Sequence, residues 1–534
     1  MDIIFDNDFM YFKSASHEQK HYLENHLQAT YSKTKGYRIP LNLWSLREVW
    51  NAFSEARTQK VSDIGNQLKK EFERLIGLKG LPLPTVYDER LREYQNADID
   101  YLKELPCAGV FNEPRTGKTP TMIGLLKSLK PHRTLVVCPA SLVYNWQREF
   151  EKWYPKANVC VVVGDKAKRR TIYNRHATVP FSVLIVSKDT LKNDINDLQR
   201  EFDVTIVDEA HYLRNYKTAQ SKAVFRIRSK RKYTLTGTPT VKHAVDIFGI
   251  LHFLYPSKFT SYWQFAERYF EVGENYMGHS EVGRQRDKRL EELQTMVGLL
   301  SVQRKRKDIM QWLPDKQRTT FYCHMSNKQK KLYDDMLTYF NAKIEDTEVD
   351  ASTVLAQLTR LRQICLEPSL LGFDCDSAKT DALVEYVSDM NEPVVIMSMF
   401  SSYLDKLENI FSKNRKVAKI TGIINSKEKQ RIAEKFQRGE IDVLLCNIIS
   451  AGTGFTLDRA ETIIFTDKAW NPADNEQAED RITPTTEHNV HKHHIVSFVC
   501  EQTVEERINT LLEQKKSITD LINEGGFSAI KKLL

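Results

Sequence analysis

The residues best placed to do chemistry stand in two runs. The first is Asn112-Glu113-Pro114-Arg115-Thr116-Gly117-Lys118-Thr119. It follows the apolar stretch Cys107–Phe111 and leads into Thr121–Leu126, which has helical character. Strand, glycine-containing loop and helix in that order form a phosphate cradle, with main-chain N–H groups at a helix N-terminus facing the anion. In such a loop Lys118 reaches the β- and γ-phosphates and the Thr119 hydroxyl ligates Mg²⁺. The second run, Asp208-Glu209-Ala210-His211, ends the β-branched strand Phe202–Val207. Asp208 there can hold the metal, and Glu209 can polarise the attacking water. Together the runs predict nucleoside triphosphate hydrolysis. The strict loop pattern has Gly where Asn112 stands, so the acidic run carries much of the weight.

These residues need a sheet to position them. Residues 85–255 alternate strands with helices, the strands being Gly109–Phe111, Thr134–Cys138, Val159–Val163, Val183–Ser187, Val204–Val207 and Lys232–Thr236. A second alternation begins near Lys379, with Val394–Met397, Val417–Ile420, Val443–Cys446, Thr462–Thr466 and His494–Phe498. Each half reads as a parallel sheet with helices on both faces. Toward the N-terminus, Ser45–Leu75 has helical periodicity, with Leu46, Val49, Trp50 and Phe53 on one face, and Arg38–Asn42 reads as a short extended segment. Gly77–Pro84 reads as a linker, and Val504–Asn523 as an amphipathic helix stopped by Gly525.

The chain has 534 residues, too many for one core, and about 150 residues per domain suggests three or four units. Apolar content of 41% with 28% charged residues is that of a globular protein. No apolar run reaches the roughly 18 residues that span a bilayer. The acidic start, Met1–Asp6, lacks the basic head of a signal peptide. Eight cysteines without a C-x-x-C pair read as reduced thiols of a cytosolic or nuclear protein. The net charge of +8 permits nucleic-acid binding without proving it.

Further stretches stand in a definite order: Leu91-Arg92-Glu93-Tyr94-Gln95, Cys138–Trp146, Leu235-Thr236-Gly237-Thr238-Pro239, Ser450-Ala451-Gly452-Thr453-Gly454 and Gln477-Ala478-Glu479-Asp480-Arg481. Taken with the two runs, this order resembles the superfamily-two helicases. It most resembles their Swi/Snf-type branch of double-stranded DNA translocases, through Leu142–Phe150, Leu361–Cys365 with Pro368, Ser377-Ala378-Lys379 and Thr503–Ile508. The resemblance covers residues 85–515. It implies an α/β fold of two tandem RecA-like lobes with parallel sheets, a small N-terminal accessory domain and a helical C-terminal brace. The expected limits are 1–84 for the accessory domain, 85–300 for the first lobe, 301–378 for a helical connection, 379–500 for the second lobe and 501–534 for the brace and tail.

By the same resemblance, ATP and Mg²⁺ bind with Arg92, Gln95, the loop Asn112–Thr119, Gly452 and Gln477, with Gln95 reading the adenine edge. Lys118, Asp208, Glu209 and Arg481 are the implied catalytic set, and Thr119 and Asp208 the metal ligands. His211, Thr236 and Thr238 couple phosphate state to DNA grip. Ser141, Ser187, Ser398, Thr453 and Gly454 face the DNA backbone; for Ser141 and Ser187 a helix N-cap is the alternative. Trp146 and Trp153 read as core residues rather than base-stacking ones. The basic cluster Arg304–Lys307 could touch DNA or form a solvated face. The expected activity is DNA-stimulated ATP hydrolysis with translocation on duplex DNA, including forked or branched DNA. A strand-separating helicase and an ATP-dependent remover of a protein complex are the alternatives. The segment Tyr37–Trp44 weakly resembles the substrate-recognition module of HARP-type annealing helicases, with an ordinary helical cap as the preferred alternative.

The chain departs from the family at three places. Arg115 stands where Gly is usual; a positive φ would strain it, and an accommodated backbone with Arg115 pointing outward is the expectation. Pro484 replaces a second arginine, leaving Arg481 as the main finger. The insertions at 257–300 and 344–352 are short.

Overall fold

A strand that ends in a helix can rejoin its sheet in parallel only through a crossover, and the helices then cover both faces. Both halves of the chain are built this way. The computed structural model describes all residues except 80–83, 199, 241–243, 275–279, 347–350, 452–454, 485–491 and 515–534. It divides into two units, Met1–Ile309 and Met310–Leu534.

The first unit opens with a small antiparallel sheet of β1 (Asp2–Phe5), β2 (Phe9–Lys13), β3 (Thr30–Ser32) and β4 (Gly36–Pro40), in the order β1-β2-β4-β3. Its core gathers Met10, Phe12, Leu23, Ile39, Leu46 and Val49. An ordinary helical cap is therefore the wrong description of this domain. The expected helix over 45–75 is two helices, Leu43–Ala52 and Gln59–Lys79, broken by the turn Ser54–Ala56. The Asn42 side chain caps the first by accepting from Ser45 N at 2.8 Å. The domain is fastened to the rest of its unit by Arg268, which pairs with Glu292 at 2.8 Å and donates to Ser45 Oγ at 2.6 Å and Leu27 O at 3.1 Å. Both charges are buried, and both are paired and hydrogen-bonded, the condition under which burial is tolerated.

The main sheet of this unit contains β5 (Cys107–Val110), β6 (Arg133–Cys138), β7 (Asn158–Val161), β8 (Ser182–Ser187), β9 (Glu201–Asp208) and β10 (Arg228–Leu235). A hairpin of β11 (Phe270–Glu274) and β12 (Ser280–Gln285) stands apart, and β13 (Ser301–Val302) then returns to the edge. The order is β13-β5-β10-β9-β6-β8-β7, all parallel. Successive side chains alternate between two apolar layers: Val136, Ile185 and Ile206 face one, and Leu135, Leu184 and Val207 the other.

The second unit holds β14 (Lys316–Cys323), β15 (Val394–Ser398), β16 (Val417–Ile420), β17 (Val443–Asn447), β18 (Thr462–Phe465) and β19 (His493–Cys500). Their order is β14-β19-β18-β15-β17-β16, again all parallel. The stretch 301–378, expected to be a helical connection, thus gives an edge strand to each sheet besides its helices Asn327–Asp346 and Ala351–Leu366. The C-terminal helix is described over Val504–Glu513, and the remainder of the expected brace lies outside the described residues. Glu505 on that helix pairs with the buried Lys379 at 2.6 Å. Burial opposes the Lys379 charge, and the Glu505 carboxylate overcomes it, holding the ammonium pKa above its ordinary value. No helix among the described residues is long and apolar enough to cross a membrane.

Candidate functional site

In an open parallel sheet, ligands bind beyond the carboxyl ends of the strands. Here β5, β10 and β9 are neighbours, so the loop Asn112–Thr119, the Thr236–Thr238 turn and the Asp208–His211 run leave the same edge of the sheet side by side. The contact between loop and turn is close: a Cβ on Gly237 would lie 2.9 Å from Pro114 Cδ.

The phosphate loop is held from below. Gly117, the N-cap of the helix Lys118–Leu129, has φ +77°. A side chain there would be strained and would meet Gln95 Nε2 at 2.3 Å. Gln95 is buried, and its amide is engaged: Oε1 accepts from Arg92 N at 2.8 Å and Nε2 donates to Gly117 O at 3.1 Å. Tyr94 adds a bond from its hydroxyl to Thr116 O at 2.7 Å. Gln95 and Tyr94 thus tie the main chain of the loop to the start of the helix Glu93–Glu104. Lys118 Nζ donates to the carbonyls of Asn112 at 2.8 Å and Glu113 at 3.2 Å, and Thr119 is half-buried in the first turn of the helix.

Arg115 corrects its expectation. Its φ is +68°, so this position does adopt the left-handed region, and the side chain is half-buried. An L-residue there carries roughly 1–2 kcal/mol of backbone strain.

Asp208 lies at the end of β9, 8% exposed. It accepts from Trp146 Nε1 at 2.8 Å and from Glu209 N at 2.8 Å. Burial, followed by the Glu209 charge, pushes its carboxyl pKa up to about 6. A buried carboxylate raised in this way suits a hard cation, which takes oxygen ligands and favours the ionised form. Glu209 has φ +50°, a second strained residue at the same edge of the sheet. Its Oε2 is 3.3 Å from His211 Nδ1, which lies 3.4 Å from Thr236 Oγ1; that hydroxyl accepts from Thr238 N at 3.1 Å. A continuous polar path therefore runs from the acidic run to the turn after β10.

Trp146 is core, as expected, but its indole N–H also orients Asp208. Sequence reasoning missed this role, although a buried indole N–H always needs an acceptor. Ser187 is a helix N-cap: it accepts from Thr190 N at 3.0 Å and donates to Thr190 Oγ1 at 2.9 Å. Ser141 is half-buried in the turn Ala140–Leu142 and does not cap it. The cluster Arg304–Lys307 is not a uniform solvated face. Lys305 and Lys307 are exposed, whereas Arg304 pairs with buried Asp98 at 2.8 Å and Arg306 N donates to Glu113 Oε2 at 2.8 Å.

In the second unit Ser398 is fully buried and donates to Asp467 Oδ1 at 2.5 Å, so the expectation that it faces a DNA backbone is corrected. Gly452, Thr453 and Gly454 lie outside the described residues. Gln477 is half-buried on the helix Pro472–Glu479. Arg481 sits in the turn Asp480–Ile482 and donates to Phe455 O at 3.3 Å. The turn is anchored from β14: Lys316 bonds Glu479 and Asp480 at 3.0 Å each, and Arg318 forks onto Glu479 at 2.7 and 2.8 Å. Burial would raise the Glu479 pKa, and these two cations lower it below the ordinary value. Pro484 is buried.

The sequence has counterparts among known proteins. The SNF2-related domain matches residues 54–370, more than half of the chain, and the helicase conserved C-terminal domain matches residues 378–483. An uncharacterized ATP-dependent helicase of Mycoplasma genitalium is 26% identical over 453 residues, covering 80% of this chain and 42% of its own length. The ATP-dependent DNA helicase DDM1 of Arabidopsis thaliana is 25% identical over 468 residues, covering 80% of this chain and 61% of its own. The chain thus spans about half the length of these curated relatives. The SWI2/SNF2 ATPase core of Sulfolobus solfataricus, solved in complex with dsDNA, aligns over 85% of this chain and 97% of its own, at 26% identity and a TM-score of 0.39. With the phosphate loop, the acidic run and the turn after β10 gathered on one sheet edge, and both family domains matched in order, the chain belongs to the SNF2-related family of ATP-dependent helicases and translocases.

Proposed function

We propose that the chain hydrolyses ATP with Mg²⁺ and uses the cycle to move along duplex DNA, remodelling forked, branched or protein-bound stretches. The observation that carries this reading is the path Asp208–Glu209–His211–Thr236–Thr238, beside a phosphate loop at the same sheet edge. It joins the groups that would act on the γ-phosphate to a turn that can feel their state. The loop N–H groups and Lys118 bind the phosphates, Thr119 and Asp208 hold the metal, and Glu209 orients and deprotonates the water. Mg²⁺, when bound, neutralises charge on the phosphate oxygens. Arg92, Gln95, Gly452 and Gln477 are assigned to the nucleotide, and Arg481 to the transition-state charge.

Ser141, Thr453 and Gly454 are assigned to the DNA backbone. Grip on phosphates gives low sequence preference and strong salt dependence. Duplex DNA as partner also fits the complex solved for the Sulfolobus ATPase core. The eight unpaired cysteines suit a reducing compartment, cytoplasm or nucleus.

The test is ATP turnover without nucleic acid and with single-stranded DNA, single-stranded RNA, linear duplex and forked duplex, at low and moderate salt. Duplex and fork are expected to stimulate, and salt to abolish the effect. Equal stimulation by single-stranded RNA would overturn the duplex reading. Wild-type protein without ATP turnover would overturn the enzyme assignment.

A further inference from the structure

Beneath the phosphate loop lies a carboxylate that the proposed chemistry does not use. Asp98, on the helix Glu93–Glu104, is fully buried. It accepts from Asn112 Nδ2 at 2.8 Å and from the Arg304 guanidinium at 2.8 and 2.9 Å. Asn112 Oδ1 is buried without a hydrogen-bond partner, so Asp98 alone fixes that amide. The same Asn112 supplies one of the two carbonyls that accept from Lys118. Arg304 follows β13, and its carbonyl accepts from Glu113 N at 3.0 Å; Arg306 N then bonds the Glu113 carboxylate. Glu113 is thus bonded directly to the stretch Arg304–Arg306, and Asn112 reaches Arg304 through Asp98. A few residues further on, past Ile309, the chain leaves the first unit for the second. Burial pushes the Asp98 pKa up, and the Arg304 charge opposes that push.

We propose that Asp98 and Arg304 are positioning residues that couple the phosphate loop to the segment joining the two units. The proposal rests on the ATPase reading above. A Lys118 ammonium that turns to phosphate loosens its bonds to the Asn112 and Glu113 carbonyls. The freed loop then moves against Asp98 and against the Arg304 carbonyl, and the joining segment moves with it. Coupling of this kind is reciprocal, so a shift imposed on the joining segment by DNA alters the loop equally. The link is a contiguous set of bonds, and its energetic weight is what the experiment measures.

The full chain is compared with Arg304→Ala, Arg304→Lys and Asp98→Asn. Basal ATP turnover, turnover at saturating duplex DNA and the KM for ATP are read for each. Arg304→Ala is expected to lower the ratio of stimulated to basal turnover about tenfold, with basal turnover within about threefold of wild type. Arg304→Lys, which keeps the charge but not the fork, falls between. Asp98→Asn moves the ratio in the same direction as Arg304→Ala. Should Arg304→Ala fail to fold, the other two variants carry the test. A ratio within about twofold of wild type in every soluble variant overturns the coupling. So does a proportional loss of basal and stimulated turnover, which marks mere support of the loop. Wild type that turns over ATP without any response to DNA would defeat the translocase reading instead, a different outcome.

Discussion

The carboxyl ends of the two parallel sheets differ in how they treat charge. At the first sheet, Asp208 is ionisable against burial and a neighbouring carboxylate, and both Glu209 and Arg115 take left-handed backbone. At the second, Asp467 accepts from Ser398 Oγ at 2.5 Å, Met399 N at 3.0 Å and Arg362 at 3.4 Å, while Arg362 lies 4.4 Å over the Trp470 ring. Lys379 is equally tied, to Glu505 and to Thr466 O at 3.0 Å. Left-handed residues occur elsewhere too, Gln502 just past β19 among them, but the pairing of such strain with a raised carboxyl pKa at the first sheet is what a site that meets a ligand's charge shows. Fully bonded pairs mark a part that moves as one piece. Among the described residues, the edge to which the chemistry is assigned is thus the strained, reactive one, and the edge of the second sheet the fully bonded, rigid one.

Arg481 is the exception on the second sheet, and it gives the sharpest way to break the contrast. Arg481→Ala is expected to cut ATP turnover by about three to five powers of ten with little change in ATP affinity. Steady-state turnover at saturating DNA decides; a rate within about threefold of wild type would return all the chemistry to the first sheet. Pro484→Arg, placing a second arginine in the same segment, should change the rate little. On the first sheet, Glu209→Gln should lower turnover by about two to four powers of ten while equilibrium ATP binding persists, since Asp208 remains. Normal turnover in that variant would remove Glu209 from its role.

The rigid edge is tested by stability. Lys379→Met leaves the Glu505 carboxylate buried and unpaired, and should cost about 3–5 kcal/mol in urea unfolding. Adding Glu505→Leu should restore most of that loss; no restoration would mean that the pair does more than neutralise itself. Trp146→Phe removes the N–H that orients Asp208. It should lower turnover about tenfold at limiting Mg²⁺, on the order of 1.5 kcal/mol for a hydrogen bond to a charged group. An unchanged Mg²⁺ dependence would reduce Trp146 to packing. The smallest effect is Arg115→Gly, which should raise stability by up to about 1 kcal/mol as strain is relieved against the added freedom of the unfolded chain. A loss in urea unfolding would show that the contacts of the Arg115 side chain outweigh its backbone strain.

The reactive edge was the more legible of the two in the sequence, because its residues sit in short runs directly after apolar β-branched strands. Gly-Lys-Thr after Cys107–Phe111 and Asp-Glu after Phe202–Val207 are local signals. Trp146 and Asp208 are a different case: their bond joins residues far apart in the chain, and nothing local to Trp146 distinguishes an orienting indole from a core one. Asp98 did leave a signal, an acidic side chain among the buried Ile99, Tyr101 and Leu102 of one helix, since a carboxylate so placed needs a partner. Strand β14 escaped because it begins Lys-Gln-Arg-Thr-Thr, edge residues spent on holding Glu479 and Asp480 rather than on a core. Of the N-terminal sheet only β4 left a trace, in the extended segment Arg38–Asn42, because its strands are short. Ser398 was misread, and Ser187 took its alternative role as a helix cap, because a serine at a strand end serves a neighbouring carboxylate or helix cap as readily as a phosphate.

The place of β13 fixes an order of assembly. Strand β5, which carries the phosphate loop, is flanked by β10 and β13, and its Gly109 and Phe111 N–H groups bond the carbonyls of Leu300 and Val302. During synthesis that edge of β5 stays open until Val302 has left the ribosome, long after the other strands of the sheet exist. Contacts between residues so distant in sequence form slowly. An unpaired apolar strand edge in the interim is a template for wrong pairing. The loop assigned to ATP is consequently the last part of its sheet to be locked, and the first unit is sealed only as the chain passes on into the second.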